Sequence, residues 1–216
     1  MIKQLYSKYK HGVPMLICMI IYLIWFYILE NRSVDKYYII HVTMDDKIPF
    51  IEQFVIPYFC WFVYVFVFVI YFIISNKEDY EKVFTFLVTG MILFLVISTI
   101  WPNAQELRPE IFPRNNIFTK MIARLYKTDT PTNIIPSIHV YNSLGIQFAV
   151  MNSKALRKNK AIQITSVILC ILIILSTVFI KQHSLIDVIV AIVFGAVMYY
   201  VVYVKKMFFG NNKKHL

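Results

Sequence analysis

The sequence predicts an all-α, polytopic membrane protein with six transmembrane helices and a short interfacial helix in the loop before the fourth span. Composition, hydropathy and the length of the apolar stretches predict this fold class. Hydrophobic residues make up 59% of the chain and charged residues 16%, and the mean hydropathy is +0.63. Soluble domains contain about 45–50% apolar and about 25% charged residues, so this composition indicates an integral membrane protein.

The apolar stretches have the lengths that membrane crossings need. A helix that crosses the hydrocarbon layer needs about 20 apolar residues, within a range of about 17–25. Six stretches meet or approach this length, at about 13–30, 54–75, 83–100, 138–152, 161–180 and 184–204. No small-residue cleavage site follows the first stretch, so we expect it to be retained rather than removed as a signal peptide. We expect one integral membrane domain over residues 1–216, with its core at about 54–204.

Charge on the connecting loops predicts the orientation. When the loops are assigned alternately to two sides, 13 basic and 3 acidic residues lie on the side of both termini. The other side holds 9 basic and 9 acidic residues. Cytoplasmic loops are enriched in Lys and Arg, so we expect both termini in the cytoplasm and the second side outside the plasma membrane. The formal charge of +10 then reflects topology, and we expect no nucleic-acid partner.

The longest predicted loop, 101–137, holds five of the eight prolines. It also contains an apolar helical face, formed by Ile117, Phe118, Met121, Ile122 and Leu125. The basic residues of this segment lie elsewhere around the helix. Such a helix can lie in the membrane interface or cap the end of the helical bundle, and the sequence leaves both arrangements open.

Two histidines lie at the exterior starts of predicted spans. His139 opens the fourth span, and His183 opens the sixth with Asp187 one helical turn later. Residues four apart share a helix face, so the Asp187 carboxylate can accept a hydrogen bond from His183. Ionisable groups inside spans mark functional sites by default, although a purely structural pair is the alternative. Arg108 maps to the same side of the membrane, and this convergence favours a functional site.

These residues are suited to phosphoryl transfer. An imidazole whose tautomer is fixed by a carboxylate presents its other nitrogen as a nucleophile. A second histidine can protonate a leaving oxygen. Arg108 offers a planar guanidinium for phosphate oxygens, and amides near Ser137 at a helix N-terminus add N–H donors. Because no cluster of Asp and Glu suggests a magnesium site, the sequence predicts a metal-independent reaction with no cofactor.

Around these residues the sequence resembles the type 2 phosphatidic acid phosphatase superfamily, which includes haloperoxidases and a branch of sphingolipid synthases. The family pattern is Lys-x6-Arg-Pro, then Pro-Ser-Gly-His, then Ser-Arg-x5-His-x3-Asp, at the ends of six helices. The resemblance covers about residues 54–204 in order and spacing. The matching residues are Arg108, Pro109, Pro136, Ser137, His139, Ser176, His183 and Asp187.

The resemblance implies a role for each matching side chain. His183 is expected to attack phosphorus and form a phosphohistidine, Asp187 to orient it, and His139 to protonate the leaving group. The expected phosphate ligands are Arg108, Ser137 and Lys181.

Three positions depart from the family pattern. Trp101 replaces its lysine, Ile138 its glycine and Thr177 its arginine in the third motif. Two basic phosphate ligands are therefore missing. The candidates to replace them are Lys181, Arg114 and Lys127.

Three functions remain open at this point. The first is a lipid phosphate phosphatase that acts on phosphatidic acid, isoprenyl pyrophosphate or a related lipid at the outer membrane face. The second is a phospholipid headgroup phosphotransferase, similar to inositol-phosphorylceramide and sphingomyelin synthases, which keep the two histidines and the aspartate but lack the full basic set. The third is a non-catalytic lipid-binding or lipid-carrier bundle, suggested by the missing basic residues. The sequence leaves the oligomeric state open.

Overall fold

The computed structural model describes residue 7 and residues 9–207. Helices dominate these residues, and the α-helices are α1 (Val13–Asn31), α2 (Thr43–Lys47), α3 (Val55–Ser75), α4 (Lys77–Ile100), α5 (Ile117–Thr128), α6 (Ile138–Asn152), α7 (Lys160–Phe179) and α8 (Leu185–Tyr199). Short 3-10 helices precede α1 and α3, and a π-helical segment continues α8, at Lys10–Gly12, Glu52–Phe54 and Tyr200–Val204. The two chain termini, which we expect in the cytoplasm, lie outside the described residues.

Among the described residues, five helical segments are long and apolar enough to cross a membrane. They are Lys10–Asn31, Glu52–Ser75, Lys77–Ile100, Lys160–Phe179 and Leu185–Val204. These segments support an integral membrane protein. The third begins earlier than its apolar run, because the Asn76 side chain accepts a hydrogen bond from the Asp79 amide and caps α4.

The fourth predicted span is the helix α6, which has only 15 residues. At 1.5 Å per residue such a helix is about 22 Å long, shorter than the roughly 30 Å hydrocarbon core. α6 packs against α3, α4, α7 and α8, and its polar side chains are buried among them. Gln147, for example, accepts a hydrogen bond from Ser166 of α7 at 2.6 Å. The helix is therefore the centre of the bundle, and the count of six spans stays a prediction.

A glycine lets α4 approach α6 closely. A Cβ atom at Gly90 would lie 1.9 Å from the Tyr141 ring, so only glycine fits at this position. Tyr141 is buried, and its hydroxyl donates to the carbonyl oxygen of Phe86 at 3.0 Å. The rings of Phe86 and Tyr141 also stack, with centroids 4.7 Å apart. The contact between these helices sets the position of α6 and of the residues that precede it.

The three loops predicted to face the exterior gather at one end of the bundle. β1 (Tyr38–Ile39) pairs in parallel with β2 (Asn103–Ala104), which joins the first loop to the second. The Gln105 amide donates to the carbonyl oxygen of Lys181 at 3.0 Å, which joins the second loop to the third. The two-residue pairing of β1 with β2 is a small departure from the predicted all-α class.

The helix predicted within the long loop is present as α5. Asn116 caps it, and its buried face contains Ile122 and Leu125, which pack against the start of α3. Before α5, Arg114 forms a two-point ion pair with the buried Glu52, with N–O distances of 2.6 and 2.7 Å. α5 therefore closes the end of the bundle, and its relation to a membrane interface stays a prediction.

Candidate active site

His183 lies in the turn at residues 180–184, which joins α7 to α8 and is named here the His183 turn. The backbone N–H groups of Gln182 and His183 both donate to the carbonyl oxygen of Thr177, at 2.9 and 3.0 Å. Lys181 has a φ of +54°, a conformation that residues other than glycine adopt infrequently. Ser184 then caps α8. The turn is thus held by the backbone of α7 at one end and by the Ser184 side chain at the other.

Asp187 holds the His183 ring from the first turn of α8. His183 Nδ1 lies 3.3 Å from Asp187 Oδ2, and the same oxygen accepts the Ser184 N–H at 2.9 Å. Asp187 is fully buried, and its contact places Nδ1 of the His183 ring on the side of α8. It leaves Nε2 as the nitrogen that Asp187 does not engage. The predicted pairing is present, and the nucleophilic role of His183 stays a prediction.

His139 lies close to His183. Their ring centroids are 6.0 Å apart, although the two residues are far apart in the sequence. The rings of Tyr58 and Trp61, both on α3, pack against His139 at 4.4 and 4.3 Å. Among the described residues, neither ring nitrogen of His139 has a hydrogen-bond partner. A buried polar group without a partner is costly, and a hydrogen bond to a bound molecule would remove that cost.

Ser137 joins the start of α6 to α8. It is fully buried, and its hydroxyl accepts the Val140 N–H at 3.5 Å as the N-cap of α6. Its own N–H donates to the carbonyl oxygen of Asp187 at 3.4 Å. These contacts help to bring His139 towards His183. The amide is engaged by Asp187, whereas the hydroxyl only accepts and can still donate, and binding of phosphate by Ser137 stays a prediction.

Arg108 reaches the His183 turn through Gln182. Its Nη1 donates to the carbonyl oxygen of Tyr126 at 3.2 Å, and the guanidinium lies 4.2 Å from the centre of the Tyr126 ring. Its Nη2 donates to the carbonyl oxygen of Asp129 at 2.7 Å and to the side-chain oxygen of Gln182. Burial lowers the pKa of this guanidinium, which as an arginine keeps its charge. Arg108 therefore adds positive charge next to the turn.

Asp129 is a site residue that the sequence analysis missed. Its Oδ2 accepts hydrogen bonds from the Tyr58 hydroxyl at 3.0 Å and from the Gln182 amide at 2.8 Å. Burial raises the pKa of this carboxyl group, while Tyr58, His183 and Arg108 act in the opposite direction. The partners of Asp129 come from α3 and the His183 turn. No spacing in the sequence indicates such a contact.

Asp45 is a second missed residue, and it supports the His183 turn from outside. Its side chain is buried, and Oδ2 accepts the Ser184 hydroxyl at 2.6 Å while Oδ1 accepts the Leu185 N–H at 2.8 Å. A carboxylate from α2 thus caps α8 across the fold. The neighbouring His41 and Asp46 form an exposed ion pair at 2.8 Å instead.

Lys181 faces away from the histidine pair. Its ammonium group donates to the carbonyl oxygens of Asp45 at 2.7 Å and Ile48 at 2.6 Å, and burial lowers its pKa. The side chain lines a cleft of about 660 Å³ between the first and second of the loops that are predicted to face the exterior. Among the described residues, the cleft lining includes neither His139 nor His183. Binding of the substrate phosphate by Lys181 stays a prediction.

Comparison with known families bears on the same region. The sequence model of the PAP2 superfamily matches residues 84–210, which is more than half of the chain. The chain belongs to the PAP2 superfamily. The matched region includes Arg108, His139, His183 and Asp187. No curated protein and no solved structure matches the chain significantly. Membership of the PAP2 superfamily, together with the apolar helices, supports a membrane enzyme that acts on lipid phosphates as a phosphatase or phosphotransferase.

Proposed function

We propose that this PAP2 protein transfers the phosphate group of a membrane lipid through a phosphohistidine intermediate at the exterior face of the plasma membrane. The observation that carries the proposal is the pair of imidazoles 6.0 Å apart, one held by Asp187 and the other without a hydrogen-bond partner among the described residues. One tetrahedral phosphate can contact both rings at this separation. The lipid tails remain in the bilayer while the phosphate reaches the loop end of the bundle.

The side chains divide the reaction between them. Asp187 keeps the Nδ1 proton of His183 in place, so Nε2 attacks phosphorus. His139 gives a proton to the leaving oxygen and then takes one from the acceptor. The charge of Arg108 stabilises the phosphate oxygens, as positioning and electrostatic stabilisation dominate phosphoryl transfer. Each step uses the chain's own residues, and we propose that no metal takes part.

The acceptor distinguishes two versions of this function. Water makes the protein a lipid phosphate phosphatase, and a lipid alcohol makes it a headgroup phosphotransferase. The second version is favoured by Trp101 and Thr177, which stand where the phosphatase pattern has basic residues. A phospholipid that carries the label in its phosphate group, offered with ceramide or diacylglycerol, separates the two because only the second version places the label in a new lipid.

The decisive experiment replaces the nucleophile. We expect His183→Asn to lower turnover of a lipid phosphate panel by at least about a thousandfold, as losses of this order or greater follow removal of a catalytic nucleophile. Purified full-length protein in detergent, with a chelator present, would be assayed for phosphate release and for new lipid products. Acid-labile phosphohistidine should form in the unchanged protein and should be absent from His183→Asn.

His41→Asn is the matched control, because His41 is an exposed histidine on the same side of the molecule. It should keep full activity. Unchanged turnover in His183→Asn would remove His183 as the nucleophile. Lipid binding without any histidine-dependent turnover would instead support the non-catalytic lipid-binding bundle.

A further inference from the structure

The guanidinium of Arg108 is largely occupied by the protein itself. Its contacts with the carbonyl oxygens of Tyr126 and Asp129 and with the Gln182 side chain use three of the five N–H groups of an arginine. Its Nε is buried and has no partner among the described residues. Arg108 therefore has two of its five N–H groups left for phosphate oxygens, one of them on the buried Nε, and most of its effect on a phosphate is its charge.

The carboxylate of Asp129 opposes that charge within the same cluster. It shares Gln182 with Arg108, and its other donor, Tyr58, packs its ring against His139. Asp129 therefore brings a negative charge between Arg108 and Tyr58, whose ring packs against His139. Asp187 adds a second carboxylate, which lies 3.3 Å from Nδ1 of His183.

The two positions that are basic in the family pattern add no positive charge here. Thr177 is buried, and its hydroxyl donates to the carbonyl oxygen of Ile174 within α7 at 2.8 Å. Trp101 packs against Tyr38, with ring centroids 5.8 Å apart. The ammonium group of Lys181 is engaged by carbonyl oxygens outside the histidine pair. Apart from the proton that His139 carries as the proposed general acid, the carboxylates of Asp129 and Asp187 thus at least balance the charge of Arg108.

We propose that the substrate phosphate is a phosphodiester with a single negative charge, and that Asp129 is the residue that selects it. This inference rests on the proposed function. A phosphate monoester carries about −1.5 to −2 charges at pH 7, whereas a diester carries one. The extra charge would be placed in a partly dehydrated cluster next to like charges, where repulsion is strong. Phosphatidic acid and isoprenyl pyrophosphate then become poorer substrates than phospholipids with an esterified headgroup.

The diester reaction balances without further reagents. His183 Nε2 forms a bond to phosphorus, one ester P–O bond breaks, and the leaving oxygen takes a proton from His139. The phosphohistidine keeps the second ester group. Water or an alcohol then attacks phosphorus, its proton passes to His139, and the P–N bond breaks.

The test compares lipids with identical acyl chains. Full-length protein in mixed micelles would be assayed on phosphatidic acid and on phosphatidylglycerol, phosphatidylethanolamine and phosphatidylcholine. We expect higher kcat/KM on at least one diester than on the monoester. Asp129→Asn should shift the diester-to-monoester ratio towards the monoester by about ten- to thirtyfold, the effect of removing one like charge at an effective dielectric constant near 20.

Asp35→Asn is the matched control, because it removes an exposed carboxylate from an exterior loop. It should leave the ratio unchanged. A His183-dependent preference for phosphatidic acid in the unchanged protein would overturn the diester inference and leave the proposed function intact. This comparison does not require that Asp129→Asn folds. An unchanged ratio in folded Asp129→Asn would overturn the role of Asp129. Absence of His183-dependent turnover on every lipid would overturn both proposals.

Discussion

Asp45 shows how a side chain outside the family motifs determines the geometry of the candidate site. Its two carboxylate oxygens accept hydrogen bonds from Ser184 and Leu185, and its carbonyl oxygen accepts one from Lys181. A single residue of α2 therefore contacts the His183 turn on both sides of His183. Since it does not contact the imidazole, we regard Asp45 as a positioning residue.

We expect Asp45→Ala to lower kcat by about 10- to 100-fold with little change in KM, because small displacements of reacting groups have effects of this size. The substitution leaves the Ser184 hydroxyl and the Leu185 N–H without their acceptor. Steady-state kinetics on a lipid phosphate would measure the change.

Two further variants separate positioning from general loss of stability. Asp45→Asn keeps one oxygen acceptor and should recover part of kcat. Asp46→Asn is the control, because this exposed neighbour pairs with His41 instead of the His183 turn. An Asp45→Ala variant with unchanged kcat would contradict the positioning role.

The His183–Asp187 pair was predictable from sequence, whereas Asp45 and Asp129 were not. His183 and Asp187 lie within one helical turn, so local helix geometry alone brings them together. Asp129 depends on Tyr58 and Gln182, which come from distant segments. A contact of that kind depends on how the helices pack, and helix packing leaves no periodic signal in the sequence.

At the scale of elements, the close approach of α4 and α6 places the first turn of α6. We expect Gly90→Ala to lower stability by about 1–3 kcal/mol or more, the usual cost of overpacking a filled core. The added Cβ would lie 1.9 Å from the Tyr141 ring, which is buried and hydrogen-bonded to the backbone of α4. The apparent melting temperature in detergent should fall by roughly 4–10 °C.

Gly195→Ala serves as the control for this prediction. A Cβ there would meet Leu144 Cδ1 at 3.1 Å, the end of a flexible side chain that can move. Its melting temperature should change much less. Equal melting temperatures for Gly90→Ala and the unchanged protein would show that α4 and α6 can separate without cost.

The helices also show where the hydropathy pattern was insufficient to predict how a helix is placed. Five of the six predicted stretches correspond to helices that are long and apolar enough to cross a membrane, because lipid-facing and core-facing positions are both apolar in such helices. α6 was the weakest by this criterion, since Asn142, Ser143 and Gln147 lie within it. The structure buries these side chains between helices, which a one-dimensional hydropathy pattern cannot indicate.

For the whole molecule, the distribution of charge predicts the orientation in the membrane. The site-bearing loops carry balanced charge, whereas the opposite loops and the termini are strongly basic. With Cys18, Cys60 and Cys170 replaced by serine, we expect Asp35→Cys to react with a membrane-impermeant maleimide in intact cells. Lys158→Cys should react only after permeabilisation. Both positions are exposed, so accessibility differs only by side.

The total maleimide reactivity of each variant, measured in detergent, is the control for both labelling sites. Labelling of Lys158→Cys, but not of Asp35→Cys, in intact cells would reverse the orientation. The site would then face the cytoplasm, and the reaction would draw on the inner leaflet. The chemistry proposed for the two histidines would not change.

The sequence by itself determined the membrane class, the apolar spans, the family motifs and the local pairing of His183 with Asp187. These features are local or compositional, and they need no knowledge of which helices touch. Only the tertiary structure decided the contacts between distant segments. His139 packs against Tyr58 and Trp61 and lies beside His183. Asp129 places a negative charge next to Arg108, and the Lys181 ammonium group contacts Asp45. The reason is that each of these contacts joins segments from different helices or loops, and the packing of the whole bundle sets their distances.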